Sequence, residues 1–129
     1  MDEYEYDPIK ATIRDYLTDV QDVLVVSKVP KNRPAQFIQL ITAGGTGGIV
    51  SQRAMVTFLC WDESEYAAAV LAERARALMK ECTRLGGLPV YRVRDVGLPV
   101  ERPDPDTGID RYQFTLEINV RGRLQSPSP

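Results

Sequence analysis

The sequence has no histidine, only two cysteines and no long apolar run. Without histidine, the common Ser-His and Cys-His arrangements of nucleophilic catalysis are impossible, and two cysteines alone cannot complete a tetrahedral zinc site. We interpret Cys60 and Cys82 as reduced, buried thiols. No stretch approaches the ~20 apolar residues that a membrane-spanning helix needs. We therefore expect no enzyme, no metal or other cofactor, and no membrane insertion.

An excess of positive charge is also missing, since 16 Lys and Arg stand against 18 Asp and Glu. The electrostatic attraction that dominates nucleic-acid binding is therefore absent, and we expect no nucleic-acid partner. The first seven residues contain four acids and no apolar run, which argues against a secretory signal and for a protein kept in the cytosol where it is made. The length of 129 residues, with 43% apolar residues, fits one globular domain.

The acidic residues do not form a recognisable catalytic or calcium-binding pattern. Asp104, Asp106 and Asp110 begin like a calcium loop, but Gly108 is fifth where an EF-hand needs glycine sixth, and Thr115 stands where a bidentate Glu is required. We interpret this run as turn chemistry. Acid-base catalysis by paired carboxylates remains conceivable, although most acids fall in the N-terminal tail, on helix surfaces and in the proline-rich segment, where solvent keeps a pKa ordinary.

Helix signals occur twice. Asp7 and Pro8 favour a helix start, and apolar residues follow at helical spacing as far as Val20. A second, longer helix is predicted over 62–84, with Asp62 and Glu65 as a capping box and Gly86 and Gly87 ending it. Its charged residues are interpreted as a solvated face, and its predicted buried stripe is Ala67, Leu71, Ala75, Leu78 and Cys82.

Alternating and β-branched patterns predict five strands, at 23–29, 35–42, 53–61, 90–96 and 112–120. The third is apolar on both faces, which is typical of a central strand. Together these elements predict an α+β fold in the order α-β-β-β-α-β-β, with an antiparallel sheet of four to five strands and two helices packed on one face. The predicted domain covers 8–123, between an acidic N-terminal tail (1–7) and a flexible C-terminal tail (124–129).

Two segments are predicted to be interaction loops. The segment 43–53 is glycine-rich and is expected to be mobile until it contacts a partner, although an idle surface hairpin is the alternative. It lies between two strands and has no following Lys-Ser or Lys-Thr, so it does not resemble a phosphate-binding loop. The proline-containing segment 97–110 is expected to reach a neighbouring subunit. The candidate interface residues are Gly44, Gly45, Thr46, Gly47, Gly48, Arg53, Pro99, Arg102, Asp104, Asp106 and Arg111.

Three stretches together resemble the tail-terminator proteins of long-tailed bacteriophages, in the version common among phages of actinobacteria. The first is 29–38, Val-Pro-Lys-Asn-Arg-Pro-Ala-Gln-Phe-Ile, leading to Gly44 and Gly45. The second is 56–66, which runs from the predicted third strand through Trp61 into the helix. The third is 91–115, with Val-Gly-Leu-Pro-Val, Pro-Asp-Pro-Asp-Thr-Gly and Arg-Tyr-Gln-Phe-Thr. The resemblance spans roughly residues 9–123.

The resemblance implies a structural virion protein with no catalytic residues. Such proteins form a ring, typically of six copies, on the last ring of the tail tube, stop its growth and present a surface to the head-completion or connector proteins. The implied partners are therefore the chain itself, the major tail tube protein and those connector proteins, in a virion neck assembled in the bacterial cytoplasm. The alternatives are another neck protein, such as a head-completion or tail-completion subunit, and a small host-directed binding module.

Overall fold

The structure, a computed structural model, describes residues 8–47 and 51–122. Within these ranges there are two helices and six strands. The strands form a single mixed sheet in the order β1-β2-β3-β6-β5-β4. The elements are α1 (Pro8–Gln21), β1 (Val25–Val26), β2 (Phe37–Gly47), β3 (Ser51–Trp61), α2 (Glu65–Lys80), β4 (Arg84–Leu85), β5 (Leu88–Glu101) and β6 (Arg111–Arg121). The α+β class is confirmed, and the predicted tails at 1–7 and 124–129 lie outside the described residues.

The sheet differs from the prediction at its two borders. Its four long strands, β2, β3, β6 and β5, are antiparallel neighbours as expected, but β1 runs parallel to β2 and β4 is an additional short strand. The predicted strand 23–29 shrinks to Val25 and Val26. Pro30 and Pro34 follow closely and have no N–H to donate, so the chain turns away after this short pairing.

The second helix is shorter than predicted at both ends. Its N-cap is Ser64, whose Oγ accepts a hydrogen bond from the N–H of Ala67 at 3.1 Å, and not Asp62. It ends at Lys80, well before Gly86 and Gly87. Those glycines have φ of 57° and 80° and form the two-residue turn between β4 and β5, a backbone conformation that L side chains rarely adopt.

Both helices pack on one face of the sheet and share the main core. The even-numbered residues of β3 from Ala54 to Cys60 lie on this face, opposite both helices and beside the apolar alternation of β6. Of the predicted stripe on α2, Leu71, Ala75 and Cys82 are buried, while Ala67 and Leu78 are only half-buried. Ala68, Ala72 and Met79 complete the buried face, which therefore lies slightly to one side of the prediction.

The glycine-rich segment is more regular than expected. As far as Gly47 it belongs to β2, with Gly45 opposite Ala54, Thr46 opposite Arg53 and Gly47 opposite Gln52. Extended backbone is open to glycine, and the ladder with β3 offsets the entropy that glycine loses on ordering. The register shifts once, between Thr42 and Gly45. The predicted loop at 43–53 is thus wrong over its described part, and residues 48–50, with Gly48, lie outside the described residues.

The segment 97–110 is likewise not a free arm. β5 continues through Pro99 to Glu101, with Val100 opposite Gln113 and Glu101 opposite Tyr112, so only the turn 102–110 remains. The register shifts between Gly97 and Val100, and this bulge accommodates Pro99 in a ladder that proline would otherwise interrupt.

Candidate functional site

One end of the sheet gathers residues from three distant parts of the chain. The turn before β2, the end of β3 and the turn before β6 enclose a cleft of about 280 Å³. It is lined by Arg33, Pro34, Ala35, Phe37, Trp61, Asp62, Glu63, Ile109 and Asp110. We call this region the Trp61 cleft. Its floor is aromatic and aliphatic and its rim is charged.

Trp61 is the centre of this end and is buried on the sheet face that the helices leave open. Its ring stacks on Phe37 with centroids 5.1 Å apart and an interplanar angle of 17°. The guanidinium carbons of Arg111 and Arg33 lie 4.9 Å and 5.6 Å from the Trp61 ring centroid. Its indole Nε1 donates to Oε1 of Gln39 at 3.3 Å. Cation–π contact and stacking therefore cover a side chain on which neither α1 nor α2 packs.

The turn 102–110 satisfies its own backbone. The N–H of Arg102 donates to the carbonyl of Arg111 at 2.8 Å, and the N–H of Asp104 donates to the carbonyl of Ile109 at 3.0 Å. Oδ2 of Asp104 accepts from both the N–H and the Oγ1 of Thr107, and these bonds lower the pKa of the Asp104 carboxyl. The side chain of Ile109 packs against the Phe37–Trp61 pair. This turn is a closed, anchored structure.

Arg111 connects the turn to the Trp61 cleft. Its Nε donates to the carbonyl of Arg102 at 2.9 Å, and its Nη1 lies 4.0 Å from Oδ1 of Asp104. Its side chain is 12% exposed, and burial lowers its pKa, an effect that Asp104 opposes. The arginine remains charged, since its ordinary pKa lies far above neutrality.

One carboxylate in the lining of the Trp61 cleft, that of Asp62, is held in place by hydrogen bonds. Asp62 is buried; its Oδ2 accepts from Nε2 of Gln36 at 3.0 Å and its Oδ1 from the N–H of Glu63 at 2.8 Å. The N–H of Asp62 also donates to the carbonyl of Asp110 at 3.4 Å, which joins the end of β3 to the turn. Asp62 thus holds two neighbouring segments together and does not cap α2.

A second surface is the outer edge of β5. β4 covers only Leu88 and Pro89, and the N–H of Val90 donates to the carbonyl of Thr83. Within the described ranges no strand lies beyond β5 from Tyr91 to Glu101. Large apolar side chains are exposed along this stretch, at 57% for Tyr91, 46% for Val96, 62% for Leu98 and 46% for Val100. We call Tyr91–Glu101 the β5 edge.

A cluster of charges fixes β5 to α2. Nε and Nη2 of Arg76 bind the two carboxylate oxygens of Asp95, both at 2.8 Å, and Nζ of Lys80 binds Oδ2 at 2.8 Å. Hydrogen bonds from Arg76 and Lys80 hold the pKa of Asp95 well below its usual range. The interpretation of the α2 charges as a solvated face is therefore wrong for Arg76, which is half-buried against Asp95, whereas Lys80 is exposed although it also binds Asp95.

Two further titratable side chains, Cys60 and Glu101, have raised pKa values. Burial raises the pKa of the Cys60 thiol, which makes it a poor nucleophile. A hydrogen bond with the carboxyl of Glu65, together with its charge, raises the pKa of Glu101 at the solvent-exposed end of β5. Within residues 8–47 and 51–122, no group of three Cys, Asp or Glu side chains is placed to hold a metal ion. None of the helices described there is long and apolar enough to cross a membrane.

The structure divides the predicted interface residues between the two ends of the sheet. Gly44, Gly45, Thr46, Gly47 and Arg53 lie at the β2–β3 end. Pro99, Arg102, Asp104, Asp106 and Arg111 lie in β5, the turn and the start of β6, where Asp106 is exposed and Arg111 is packed on Trp61. Sequence reasoning did not assign Arg33, Phe37 or Trp61 to a site, and the only signal the sequence offered was that Trp61 is its single tryptophan.

No protein-family model and no curated protein matches the chain.

Proposed function

We propose that this chain is a tail-terminator subunit of a long-tailed bacteriophage. In this role it forms a ring of about six copies on the end of the tail tube, stops tube growth and offers a joint to the head-completion or connector proteins. The observation that supports this most is that the three stretches carrying the resemblance meet in the fold. The stretches 29–38, 56–66 and 91–115, which carry the resemblance, are far apart in sequence, yet parts of all three form the Trp61 cleft.

A role in assembly also agrees with which polar groups are paired within the fold and which surfaces are exposed. Arg76 and Lys80 form ion pairs with Asp95, and Asp104 and Arg111 make contacts within the turn. These bonds lower the pKa values of Asp95 and Asp104. The thiol of Cys60 is buried. Meanwhile the β5 edge leaves backbone groups and apolar side chains exposed, which is a means of binding another protein and not of turning over a substrate.

The proposal gives the chain a place in the virion. A ring made of identical head-to-tail contacts has two different flat ends, so one end can meet the tail tube and the other the connector. The protein is then built in the host cytoplasm and remains in the neck of the particle. It needs no cofactor, no nucleic acid and no membrane.

The test is a phage in which this gene is deleted and supplied again from a plasmid. Loss of a terminator leaves tube growth unlimited, so electron micrographs should show overlong tubes, and the plasmid copy should restore uniform length. Tails of normal length without heads would instead assign the chain to head completion. Normal, infectious particles would contradict any neck function.

A further inference from the structure

We infer that the β5 edge of one copy pairs with the opposite border of the sheet, formed by β2, in the next copy. This inference rests on the proposed ring and names the contact that closes it. On its side away from β6, the β5 edge offers backbone N–H and C=O groups over Tyr91–Glu101, in a row interrupted at Pro99, which has no N–H. The partner that such a row fits best is another extended strand.

The chain itself supplies a suitable strand at the other border of the sheet. β1 pairs only with Ile38 and Gln39, so in the described part of the chain no strand covers the remaining length of β2. One molecule therefore has two different lateral borders. Two different borders that fit each other produce a head-to-tail contact, which closes into a ring when the rotation is right.

Strand direction favours this pairing. Three successive antiparallel pairings separate β2 from β5, so these two strands run in opposite directions. When two copies stand side by side in the same orientation, β5 of one is therefore antiparallel to β2 of the next. The junction continues the antiparallel pattern of the four long strands without a reversal of either subunit.

The distribution of bulges points to a curved, continuous sheet. The central pairing of β3 with β6 is regular over all 11 residues of β3. The register shifts occur in the pairings of the outer strands, once between β2 and β3 and three times between β5 and β6. Bulges bend a strand and increase its twist, which is how a sheet is curved where it must close on itself.

The side chains on the β5 edge agree with burial between copies. Isolated edges are usually protected by charged side chains, proline or bulges, and β5 has Arg92, Arg94, Pro99 and three register shifts. Beside these features it also exposes the apolar side chains of Val96, Leu98 and Val100. On β2, Ile41 is exposed at 42% and supplies an apolar side chain to the opposite border. Burying these groups against each other removes apolar surface from water.

The test uses cysteines on the two borders. The chain carrying both Leu98→Cys and Ile41→Cys is treated with a short bis-maleimide, as concentrated purified protein and in isolated phage tails. Cys60 and Cys82 are buried and serve as an unreactive background. We expect a ladder of covalent multimers ending at the ring size. Each single variant is the control and should give no cross-linked product.

Each other outcome overturns the inference. A covalent dimer from Leu98→Cys alone would mean that two β5 edges meet symmetrically. No multimers from the double variant, in protein or in tails, would place the subunit contact elsewhere. In that second case a ring of normal mass, or uniform tail lengths, would leave the terminator function standing, so the two proposals fail separately.

Discussion

The turn 102–110 and the β5 edge are adjacent in sequence but opposite in character. The turn pairs its own N–H and C=O groups and is anchored by Ile109 and Arg111 on Trp61. The β5 edge has one side paired with β6 and, within residues 8–47 and 51–122, no strand on its other side, with apolar side chains exposed. The prolines of 97–110 led to the prediction of an interaction site in the turn. The pattern of backbone hydrogen bonds instead indicates that the strand is the interaction site.

If this contrast is right, substitutions in the Trp61 cleft should lower the stability of the fold and should not act mainly on assembly. Trp61→Ala removes the ring that Phe37, Arg33 and Arg111 pack against, and we expect the free energy of unfolding to fall by about 3–5 kcal/mol. Urea denaturation followed by circular dichroism measures this. Trp61→Phe, which keeps a flat ring for stacking, is the matched control and should lose distinctly less. A loss of ring assembly from a fully stable Trp61→Ala protein would reverse the assignment.

Charge on the β5 edge should affect assembly and leave folding intact. In the Val96→Lys, Leu98→Lys double variant, two ammonium groups would be buried without partners at the junction, so we expect association to weaken by more than about 100-fold. The free energy of unfolding should change by less than about 0.5 kcal/mol, as is usual at exposed positions. Native mass spectrometry and urea denaturation measure the two effects.

The control for the edge variant lies on the outer surface of α2. Tyr66 and Val70 are also exposed apolar residues, and their double replacement by lysine adds the same charge away from both sheet borders. It should assemble like the wild type. Equal weakening by both double variants would mean that total charge, and not the β5 edge, controls association.

The ion cluster of Asp95 should stabilise the position of β5 in a pH-dependent way. Its pKa is lowered in the fold, so its contribution is complete above the unfolded pKa of ~3.9 and is lost as the pH falls through and below that value. Because Asp95 is partly exposed, we expect Asp95→Asn to cost about 1–2 kcal/mol at pH 7. Thermal denaturation from pH 7 to pH 2 should show this difference shrinking towards zero; a constant difference would show that charge is not its source.

Replacing Glu101, at the end of the β5 edge, should change the stability of the fold least, and in the opposite direction to Asp95→Asn. The neighbouring Glu65 raises its pKa, so the protonated form is favoured in the fold and its stabilisation is lost as the pH rises. Glu101→Gln should therefore melt slightly above the wild type at pH 7 and equal to it at acidic pH. In a Glu65→Gln background the same replacement should show a smaller pH dependence, because the carboxyl that raises the pKa of Glu101 is gone.

Local pattern was enough to predict that the two helices and the four long strands exist, but not where α2, β2 and β5 begin and end. The alternation in β6 and the two apolar faces of β3 fixed these strands to within two residues, because a sheet buries every second side chain on each face. Pairing was not predictable in this way. That β5 runs on through Pro99 depends on a bulge opposite β6, and a bulge depends on a strand that is distant in sequence.

The candidate site was harder to predict for the same reason. The composition of 97–110 indicated turns correctly, but it carried no information about Arg111 lying over Trp61 or about which part of the segment would be paired. Likewise, Asp95 contacts Arg76 and Lys80 only because α2 crosses the sheet beside β5. Contacts between elements decide these features, and single residues within one element do not.

The most direct test of the account is amide hydrogen exchange of the turn and of the β5 edge, in the free subunit and in the assembled ring. The Val96→Lys, Leu98→Lys variant supplies a free subunit where the wild type is fully assembled. Amides of Asp104 and Gly108, which are bonded within the turn, should be protected to the same degree in both states. Amides of the β5 edge that face away from β6 should exchange rapidly when free and slow markedly on assembly. Unchanged exchange along the β5 edge, with new protection in the turn, would contradict the account.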